Sequence, residues 1–380
     1  MKKKIILILL TLLLVFSFVS CGEKKNDGTG DISYSEIVFN GKMELEYAKE
    51  FSVSYSDLGY KHITISNDQD IILVPEGKSV PSGLPEGMIV LKAPLDNIYM
   101  VATAIMDHFG ELDAVKNVTL SSQQKDSWSV EKAVAAMEKG EMVYAGKYSA
   151  PDYELILSKG CDLAIESTMI YHSPKVKEKL ESLGIPVIVE RSGYESDPLG
   201  RMEWIKFCAA LVDKEEIAEK YYSNLLSSIK PVLNMAPTDK SVAIFYITSN
   251  GAVSVRKSGD YITKALKIAG GNPILFDAEE ENAFSTMNIQ MEVFYREAHD
   301  ADILIYNSTI VKEIETIDEL LGKSSFLKDF KAVKEGNVWC IEKNFYQQTL
   351  SIGDMMIDLN RILNNENVNE DELRFLHKLK

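Results

Sequence analysis

The sequence predicts an α/β protein of two lobes joined by one long, rigid α-helix. Short apolar runs alternate with stretches of helical periodicity in residues 36–198, and this alternation repeats in residues 233–380. Between these halves, residues 199–232 contain no glycine or proline after Gly200 until Pro231, and their apolar side chains recur every three or four positions. At 1.5 Å per residue, such a helix is about 45 Å long, which is long enough to join two lobes.

The elements of the first half follow from its apolar runs and from the residues that bound them. An alternating pattern at residues 51–55 and 62–65 predicts an antiparallel hairpin before the α/β units. Prolines at the expected first turns and glycines after the last ones support the helices. Strands are predicted at residues 71–74, 88–92, 161–165 and 186–190, and helices at residues 97–109, 130–139, 152–158 and 175–183.

The second half has the same alternation. Because strands that alternate with helices form parallel βα units, each half is expected to be a separate α/β lobe. The predicted strands are residues 242–247, 273–276, 303–306 and 338–341, and the predicted helices are residues 260–269, 289–299, 326–330 and 350–363.

Composition excludes several functional classes. Of the 380 residues, 46% are apolar and 26% are charged, and 41 lysines and arginines face 57 aspartates and glutamates. The resulting net charge of −16 argues against a nucleic-acid partner, which would normally require a basic surface. Because the one long apolar run lies at the N-terminus, a protein with several membrane spans is also excluded.

The N-terminus resembles the leader of a bacterial lipoprotein. Lysines at positions 2–4 precede an apolar stretch over residues 5–19, which is typical of a secretory signal and short for a spanning helix. Small residues then lead to Cys21, followed by a polar tether over residues 21–35. The resemblance implies that residues 1–20 are removed and that Cys21 carries lipid, with acyl chains such as palmitate anchoring the protein outside the cytoplasm. An ordinary cleaved signal with an incidental cysteine is the alternative.

The other three cysteines are Cys161, Cys208 and Cys340. None has C-x-x-C spacing, and no histidines or aspartates cluster around them in the sequence. We therefore predict buried thiols and no metal site, while secretion would still permit one disulfide.

Three passages together resemble a known family. Residues 150–165 combine a glutamate-bearing helix with a following strand, residues 291–305 repeat that unit, and residues 194–206 lead into the predicted joining helix. With the lipoprotein leader, they resemble the class III solute-binding proteins of ABC importers, which bind iron-siderophore, haem or cobalamin. The resemblance implies two Rossmann-like lobes, a ligand held between them, no cofactor, and a permease dimer with its ATPase subunits as partners.

The resemblance also implies how the protein docks on its permease. Glu154 and Glu292 occupy the glutamate position of the two repeated units. In the family, one such carboxylate on each lobe pairs with arginines of the two permease subunits. Two separated charges on one body fix both position and orientation. The alternative is that each is a solvated carboxylate of a helix.

Some candidate ligand-binding residues follow the predicted strands, because ligands of open α/β sheets bind at the carboxyl ends of the strands. The other candidates lie in loops, at a helix start or just before the final helix. Cations held in a cleft of an acidic protein favour an anionic ligand, and tyrosines favour stacking on a flat chelate. Arg191 is the best single candidate, because it is charged and directly follows a buried strand. The full set is Lys147, Tyr148, Met169, Tyr171, His172, Arg191, Tyr194, Arg256, Lys257, Tyr261 and Tyr346.

The sequence therefore predicts a lipid-anchored receptor that captures an iron chelate, a siderophore or haem, and delivers it to an ABC permease. It contains no G-x-S-x-G, H-E-x-x-H, Walker A or Rossmann glycine motif, so no enzyme activity is predicted. The alternatives are a surface-anchored enzyme or adhesin with the same two-lobed shell, or a receptor for cobalamin or another small metal complex.

Overall fold

The computed structural model describes residues 32–66, 68–277, 285–364 and 368–380. The predicted signal, Cys21 and most of the predicted tether lie outside these residues. Within the described residues, every helix is too short or too polar to cross a bilayer.

A five-stranded sheet comes first in the chain. Its order is β1-β2-β3-β4-β5, antiparallel except for the parallel pair β4–β5. The predicted hairpin is present as β2 and β3. The predicted strands at residues 71–74 and 88–92 also form, but in this sheet rather than in the parallel sheet of the first lobe. Its strands are β1 Phe39–Lys42, β2 Phe51–Ser56, β3 Lys61–Ile65, β4 Gln69–Val74 and β5 Ile89–Lys92.

The parallel sheet of the first lobe has the strand order β12-β11-β6-β7-β8, and β9 and β10 form a small hairpin beside it. Its strands and the hairpin are β6 Ile98–Met100, β7 Leu120–Ser121, β8 Val143–Tyr144, β9 Gly146–Lys147, β10 Ala150–Pro151, β11 Leu163–Glu166 and β12 Val187–Val189. The helices of this lobe are α1 Met106–Glu111, α2 Glu131–Glu138, α3 Tyr153–Ser158 and α4 Pro174–Ser182.

One helix prediction in this lobe is wrong. Residues 97–109, predicted as a single helix, contain the central strand β6 and only then α1. The reason is that β6 is buried throughout, so it lacks the alternation by which a strand is recognised, and a short apolar run cannot be distinguished from a buried helix by periodicity alone.

The segment between the lobes is two helices rather than one. α5 covers Pro198–Leu211 and α6 covers Glu215–Leu233, separated by a turn in which Asp213 has a φ of 54°. The helices pack against each other as a hairpin, and the hydroxyl of Tyr222 donates to the carbonyl of Leu199 at 3.1 Å. The predicted single 45 Å helix is therefore wrong. The three-to-four-residue spacing of apolar side chains continues through the turn, so the sequence pattern did not indicate that the helix ends there.

The second lobe contains a mixed sheet with the order β16-β14-β13-β17-β18-β19, and β15 pairs with β13. The predicted helix at residues 326–330 is a one-turn 3-10 helix. The strands are β13 Ser241–Ile247, β14 Val253–Arg256, β15 Asn272–Pro273, β16 Thr286–Ile289, β17 Ile303–Asn307, β18 Val338–Ile341 and β19 Leu376–Lys378. The helices are α7 Tyr261–Ile268, α8 Met291–Ala298, α9 Ile317–Lys323, α10 Lys331–Lys334 and α11 Ile352–Asn364.

A continuous apolar core links both lobes. Buried side chains of β2, β6, α5, β13 and α11 belong to one cluster, represented by Val53, Ile98, Trp204, Ile244 and Met356. Helix α5 lies within it, and all but one of its residues are buried. The lobes are thus joined through packed helices as well as by the chain itself.

Polar contacts also tie the lobes together. The buried Gln347 side chain accepts the Ser129 N–H at 2.7 Å and donates to the Ser127 carbonyl at 2.8 Å. Close by, the N–H of Leu350 donates to Asp107 at 2.8 Å. These bonds join the loop before α2 and helix α1 to the segment between β18 and α11.

Candidate ligand-binding site

A cavity of about 530 Å³ lies between the two lobes. Its position agrees with the expectation that a ligand binds where parallel strands end. The first lobe lines it with residues that follow β11 and β12 and with the first turn of α5, namely Thr168, Gly193, Tyr194, Glu195 and Arg201. The second lobe lines it with the end of β14, the start of α7 and the residue before β16, namely Arg256, Lys257, Asp260, Tyr261 and Ser285.

Capped helix starts position several of these side chains. Asp197 caps α5 by accepting the N–H of Leu199 at 2.8 Å, and Pro198 takes the first helical position. Asp260 caps α7 in the same way, accepting the N–H of Ile262 at 2.9 Å. These two caps fix the helix turns that carry Arg201 and Tyr261.

The most informative feature of the cavity is a pair of arginines, one from the interlobe helix α5 and one from the second lobe. The guanidinium of Arg201 stacks on the ring of Tyr261 at 3.7 Å, and that of Arg256 lies 6.0 Å from the same ring. The Nε atoms of both arginines are buried and have no hydrogen-bond partner among the described residues. The ring of Tyr261 thus lies beside two guanidinium groups, each of which keeps at least one N–H donor that none of the described residues accepts.

The acidic residues that line the cavity are already engaged. Glu195 accepts the N–H groups of Lys49 and Glu50 and the indole N–H of Trp204, all at about 3 Å. Asp260 caps α7 and lies 3.2 Å from Arg256. With Arg201, Arg256 and Lys257 on its walls, the cavity carries three cations against two committed carboxylates, so it favours an anion.

Burial and charge act in opposite directions on these groups. Burial raises the pKa of Glu195, and the amide and indole donors only partly counter it. Burial alone would lower the pKa of Arg256, but Asp260 and Tyr261 outweigh that effect, so its pKa is raised and the guanidinium stays charged. Burial likewise raises the pKa of Glu190, directly after β12, against the opposing charge of Arg201.

Four of the predicted ligand-binding residues line this cavity: Tyr194, Arg256, Lys257 and Tyr261. Arg191, the best single candidate from the sequence, lies beside it instead. Its guanidinium stacks on Tyr194 at 4.0 Å, and its Nε donates to Glu50 at 2.8 Å. Arg191 therefore supports the tyrosine, and its charge is already paired.

The other predicted residues do not line the cavity. Lys147 and Tyr148 belong to the β9–β10 hairpin. Met169, Tyr171 and His172 are exposed in the turn that begins with the lining residue Thr168, and Tyr346 is part-exposed in the 3-10 turn after β18. Their assignment as ligand-binding residues remains a prediction.

Sequence analysis missed Arg201 and Asp260. Both lie in or next to the first turn of a helix, where a charged side chain is ordinarily interpreted as a cap or as a solvated position. The signal that could have identified Arg201 is its place three residues after a proline at a helix start.

A second cavity between the lobes, of about 590 Å³, is less suited to an anion. Asp107, Glu111 and Glu131 line it against Lys132 and Arg374, and Arg374 is paired with Asp354. It lies beside α1, α2 and α6 and contains none of the predicted ligand-binding residues. We therefore take the cavity with the two arginines as the candidate site.

The residues lining the candidate site do not form a metal centre among themselves. None of the ten described lining residues is a histidine or a cysteine, and both carboxylates are engaged as stated above.

The two glutamates predicted to dock on a permease occupy equivalent places. Glu154 is exposed in the first turn of α3, which precedes β11, and Glu292 is exposed in the first turn of α8, which precedes β17. The repeated helix–strand unit expected from the sequence is thus present in both lobes. The docking role itself remains a prediction.

Comparisons with known proteins agree with this architecture. The family described as periplasmic binding protein matches residues 100–344, which is more than half of the chain. An uncharacterised lipoprotein of Methanocaldococcus jannaschii is 24% identical over 353 residues, covering 85% of this chain and 82% of its own. A second uncharacterised lipoprotein of that organism is 23% identical, with 100% of both chains covered.

Solved structures share the fold at low sequence identity. A periplasmic haem-binding protein of Vibrio cholerae matches with a TM-score of 0.58 at 16% identity, covering 70% of this chain and 98% of its own. A possible iron-binding periplasmic solute-binding protein of Staphylococcus epidermidis matches with a TM-score of 0.56 at 14% identity, covering 71% and 99%. A petrobactin-binding protein of Bacillus subtilis has the same score at 16% identity, covering 71% and 93%.

The family match, the two lobes and the cavity between them confirm the α/β class III fold and the family expected from the sequence, although two helices replace the single joining helix. Members of this family are the substrate-binding components of ABC transporters rather than enzymes, and they work with a permease and an ATPase. The chain belongs to the periplasmic binding proteins and has the fold of the class III solute-binding proteins.

Proposed function

We propose that this protein captures an anionic iron chelate, a siderophore or haem, between its two lobes and delivers it to an ABC permease. The observation that carries the proposal is the pair Arg201, in the first turn of α5, and Arg256, in the second lobe. Both line one cavity, and their buried Nε atoms have no hydrogen-bond partner among the described residues. A ligand carboxylate placed between them would join the lobes through charge-assisted hydrogen bonds. Structural relatives described as a possible iron-binding protein, a haem-binding protein and a petrobactin-binding protein support an iron chelate as the ligand class.

The tyrosines of the cavity suit the same ligand class. Tyr194 and Tyr261 are each stacked against a guanidinium, at 4.0 Å and 3.7 Å. Stacking holds the rings in place, and their remaining faces and hydroxyls can contact a flat or aromatic chelate. A cavity of about 530 Å³ is within the usual size of sites for small molecules.

The proposal includes an anchor and a docking surface. Lipid on Cys21 would hold the protein on the extracytoplasmic face of the cell membrane after removal of residues 1–20. Two relatives that are described as lipoproteins support this location. Glu154 and Glu292, exposed on equivalent helices of the two lobes, would pair with basic residues of the permease subunits.

Substitution of the paired arginines tests the ligand class. Ferric citrate, a ferric hydroxamate and haem are titrated into the purified chain while tryptophan fluorescence is followed. If the ligand is an anionic chelate, Arg201→Met and Arg256→Met should each weaken binding of the tightest of the three by at least ~10-fold, because each removes a charge-assisted hydrogen bond worth about 1.5–3 kcal/mol.

Arg296→Met is the matched control, because Arg296 is 69% exposed on α8 and lies outside the cavity. Its binding curve should coincide with that of the unmodified chain. Equal affinity in all three variants would refute the assignment of the site, and tight binding of cationic or neutral chelates alone would refute the ligand class.

A further inference from the structure

Three side chains of the second lobe that are far apart in the sequence lie close together. Glu313 belongs to the loop after β17, Glu342 directly follows β18, and His377 is the middle residue of β19. One potential ligand atom of each lies within 4.8 Å of the other two. None of the three lines the interlobe cavity.

The imidazole of His377 is held in one orientation. Its Nε2 lies 2.8 Å from the carbonyl oxygen of Ile314, to which it donates, and its Nδ1 lies 2.6 Å from Oε1 of Glu342. A ring whose one N–H donates to a backbone carbonyl while its other nitrogen faces carboxylates has the arrangement typical of metal-ligating histidines. The carbonyl of Ile314 thus leaves Nδ1 as the nitrogen for a metal, and the ion would displace the proton that Nδ1 shares with Glu342.

The surroundings favour a cation. Beside the two carboxylates of the cluster, Oε2 of Glu315 lies 3.8 Å from His377 Nε2. The backbone N–H of Lys343 donates to Oε1 of Glu313 at 3.3 Å, which orients this carboxylate without neutralising it. Three carboxylates around one imidazole create a local negative potential that a divalent ion would offset.

The cluster is accessible to an ion from solvent. The His377 side chain is 17% exposed and that of Glu342 is 34% exposed, so an ion could reach both and retain water in a remaining coordination position. Tetrahedral coordination at about 2.0–2.2 Å places ligand atoms about 3.4 Å apart. His377 Nδ1 and Glu342 Oε1, now 2.6 Å apart, would therefore separate slightly to admit the ion, which the part-exposed glutamate side chain allows.

We propose that Glu313, Glu342 and His377 form a binding site for one divalent transition-metal ion of the zinc type, separate from the interlobe cavity. An imidazole nitrogen with two carboxylates suits such ions, whereas Ca²⁺ and Mg²⁺ prefer oxygen ligands alone. Through bonds to His377, Glu313 and Glu342, the ion would crosslink β19, the loop after β17 and the end of β18. The C-terminal strand would thereby become part of a metal-stabilised edge of the second lobe.

The test uses Zn²⁺ as the probe and the purified full-length chain freed of metal by a chelator. Competition with a chromophoric chelator should give one Zn²⁺ per chain, and Zn²⁺ should raise the midpoint of thermal unfolding. His377→Gln and Glu342→Gln should each weaken Zn²⁺ binding by at least ~10-fold and remove the thermal shift. If either variant fails to fold, Glu313→Gln replaces it, because this substitution keeps the His377–Glu342 contact. Glu313→Gln should also weaken Zn²⁺ binding by at least ~10-fold.

His299→Gln is the matched control, because His299 also contacts a carboxylate, Asp300 at 3.0 Å, but is not part of the cluster. Its Zn²⁺ affinity should equal that of the unmodified chain. Cys340→Ser, which removes the thiol opposite His377 in the β18–β19 pair, should also retain binding. Absence of Zn²⁺ binding, or its loss in Cys340→Ser but not in Glu313→Gln, would overturn the assignment.

Discussion

Glu166, the last residue of β11, carries a buried carboxyl group, and the described residues provide no hydrogen-bond donor to offset its burial. Its side chain is fully buried, and neither carboxyl oxygen has a hydrogen-bond partner among the described residues. Burial raises the pKa of Glu166 to about 8. The folded protein therefore holds this carboxyl protonated at pH values at which the unfolded chain has released the proton.

This proton makes the stability of the fold depend on pH. Between the ordinary pKa of 4.5 and about 8, the folded state binds more protons than the unfolded state, so stability falls as pH rises. The slope is at most about 1.4 kcal/mol per pH unit. Glu166→Gln, which cannot ionise, should lose this contribution, as measured by urea unfolding at pH 5, 6, 7 and 8.

The informative quantity is the difference in unfolding free energy between Glu166→Gln and the unmodified chain, which should grow in favour of the variant as pH rises. Glu178→Gln, at an exposed position of α4, provides the comparison and should show a constant difference. A constant difference for Glu166→Gln as well would mean that Glu166 is ionised in the folded protein.

At the scale of elements, two carboxylates hold the loop before β2 against α5. Glu203 accepts the N–H groups of Glu46, Tyr47 and Ala48 at 2.8–3.1 Å, and Glu195 accepts the next two. Gly200 permits the close approach, because a Cβ there would lie 3.0 Å from the carbonyl oxygen of Tyr47. The first sheet is thus joined to the helix that also carries Arg201.

Removing the Glu203 carboxylate should destabilise the protein strongly. Glu203→Ala leaves three backbone donors without an acceptor and Lys206 without its buried partner, so the unfolding free energy should fall by about 3–5 kcal/mol. Glu219→Ala removes the exposed partner of Lys206 and should cost less than about 1 kcal/mol. Denaturant unfolding measures both, and equal costs would show that the loop does not depend on Glu203.

Sequence patterns predicted those elements whose signals are local. Helices α2, α3, α4, α7, α8 and α11 begin and end within two residues of their predicted bounds, because caps, prolines and glycines mark them. Strand β6 was missed, since a three-residue buried strand has no alternation. The turn between α5 and α6 was also missed, because it contains neither glycine nor proline and relies on Asp213 in a left-handed conformation.

For the site, the sequence predicted the chemistry better than the positions. Tyr194 was expected because it follows a predicted strand, and Arg256, Lys257 and Tyr261 because they lie in a loop or at a helix start. All four line the cavity. Arg201 was not expected, because its inclusion depends on how the two lobes face each other. The same limit applies to the cluster of Glu313, Glu342 and His377, which only the pairing of β18 with β19 brings together.

At the scale of the whole molecule, the two lobes form a packed body. A shared core and the contacts of Gln347 with residues 127 and 129 connect them. Glu154 and Glu292 lie on equivalent helices of this body. A permease that binds both carboxylates would recognise their separation, and that separation depends on how the lobes are arranged.

Charge reversal at both positions tests this docking. Glu154→Lys combined with Glu292→Lys should abolish uptake of a radiolabelled iron chelate by cells that carry the cognate permease, because like charges would then oppose each other at both contacts. Binding of the same chelate by the purified variant should be unchanged, since neither glutamate lines the cavity. Glu178→Lys with Glu335→Lys reverses one exposed charge on each lobe outside these helices, and uptake should persist. Normal uptake by the first double variant would exclude both glutamates as docking residues, whereas a loss of chelate binding would assign them to the structure of the site instead.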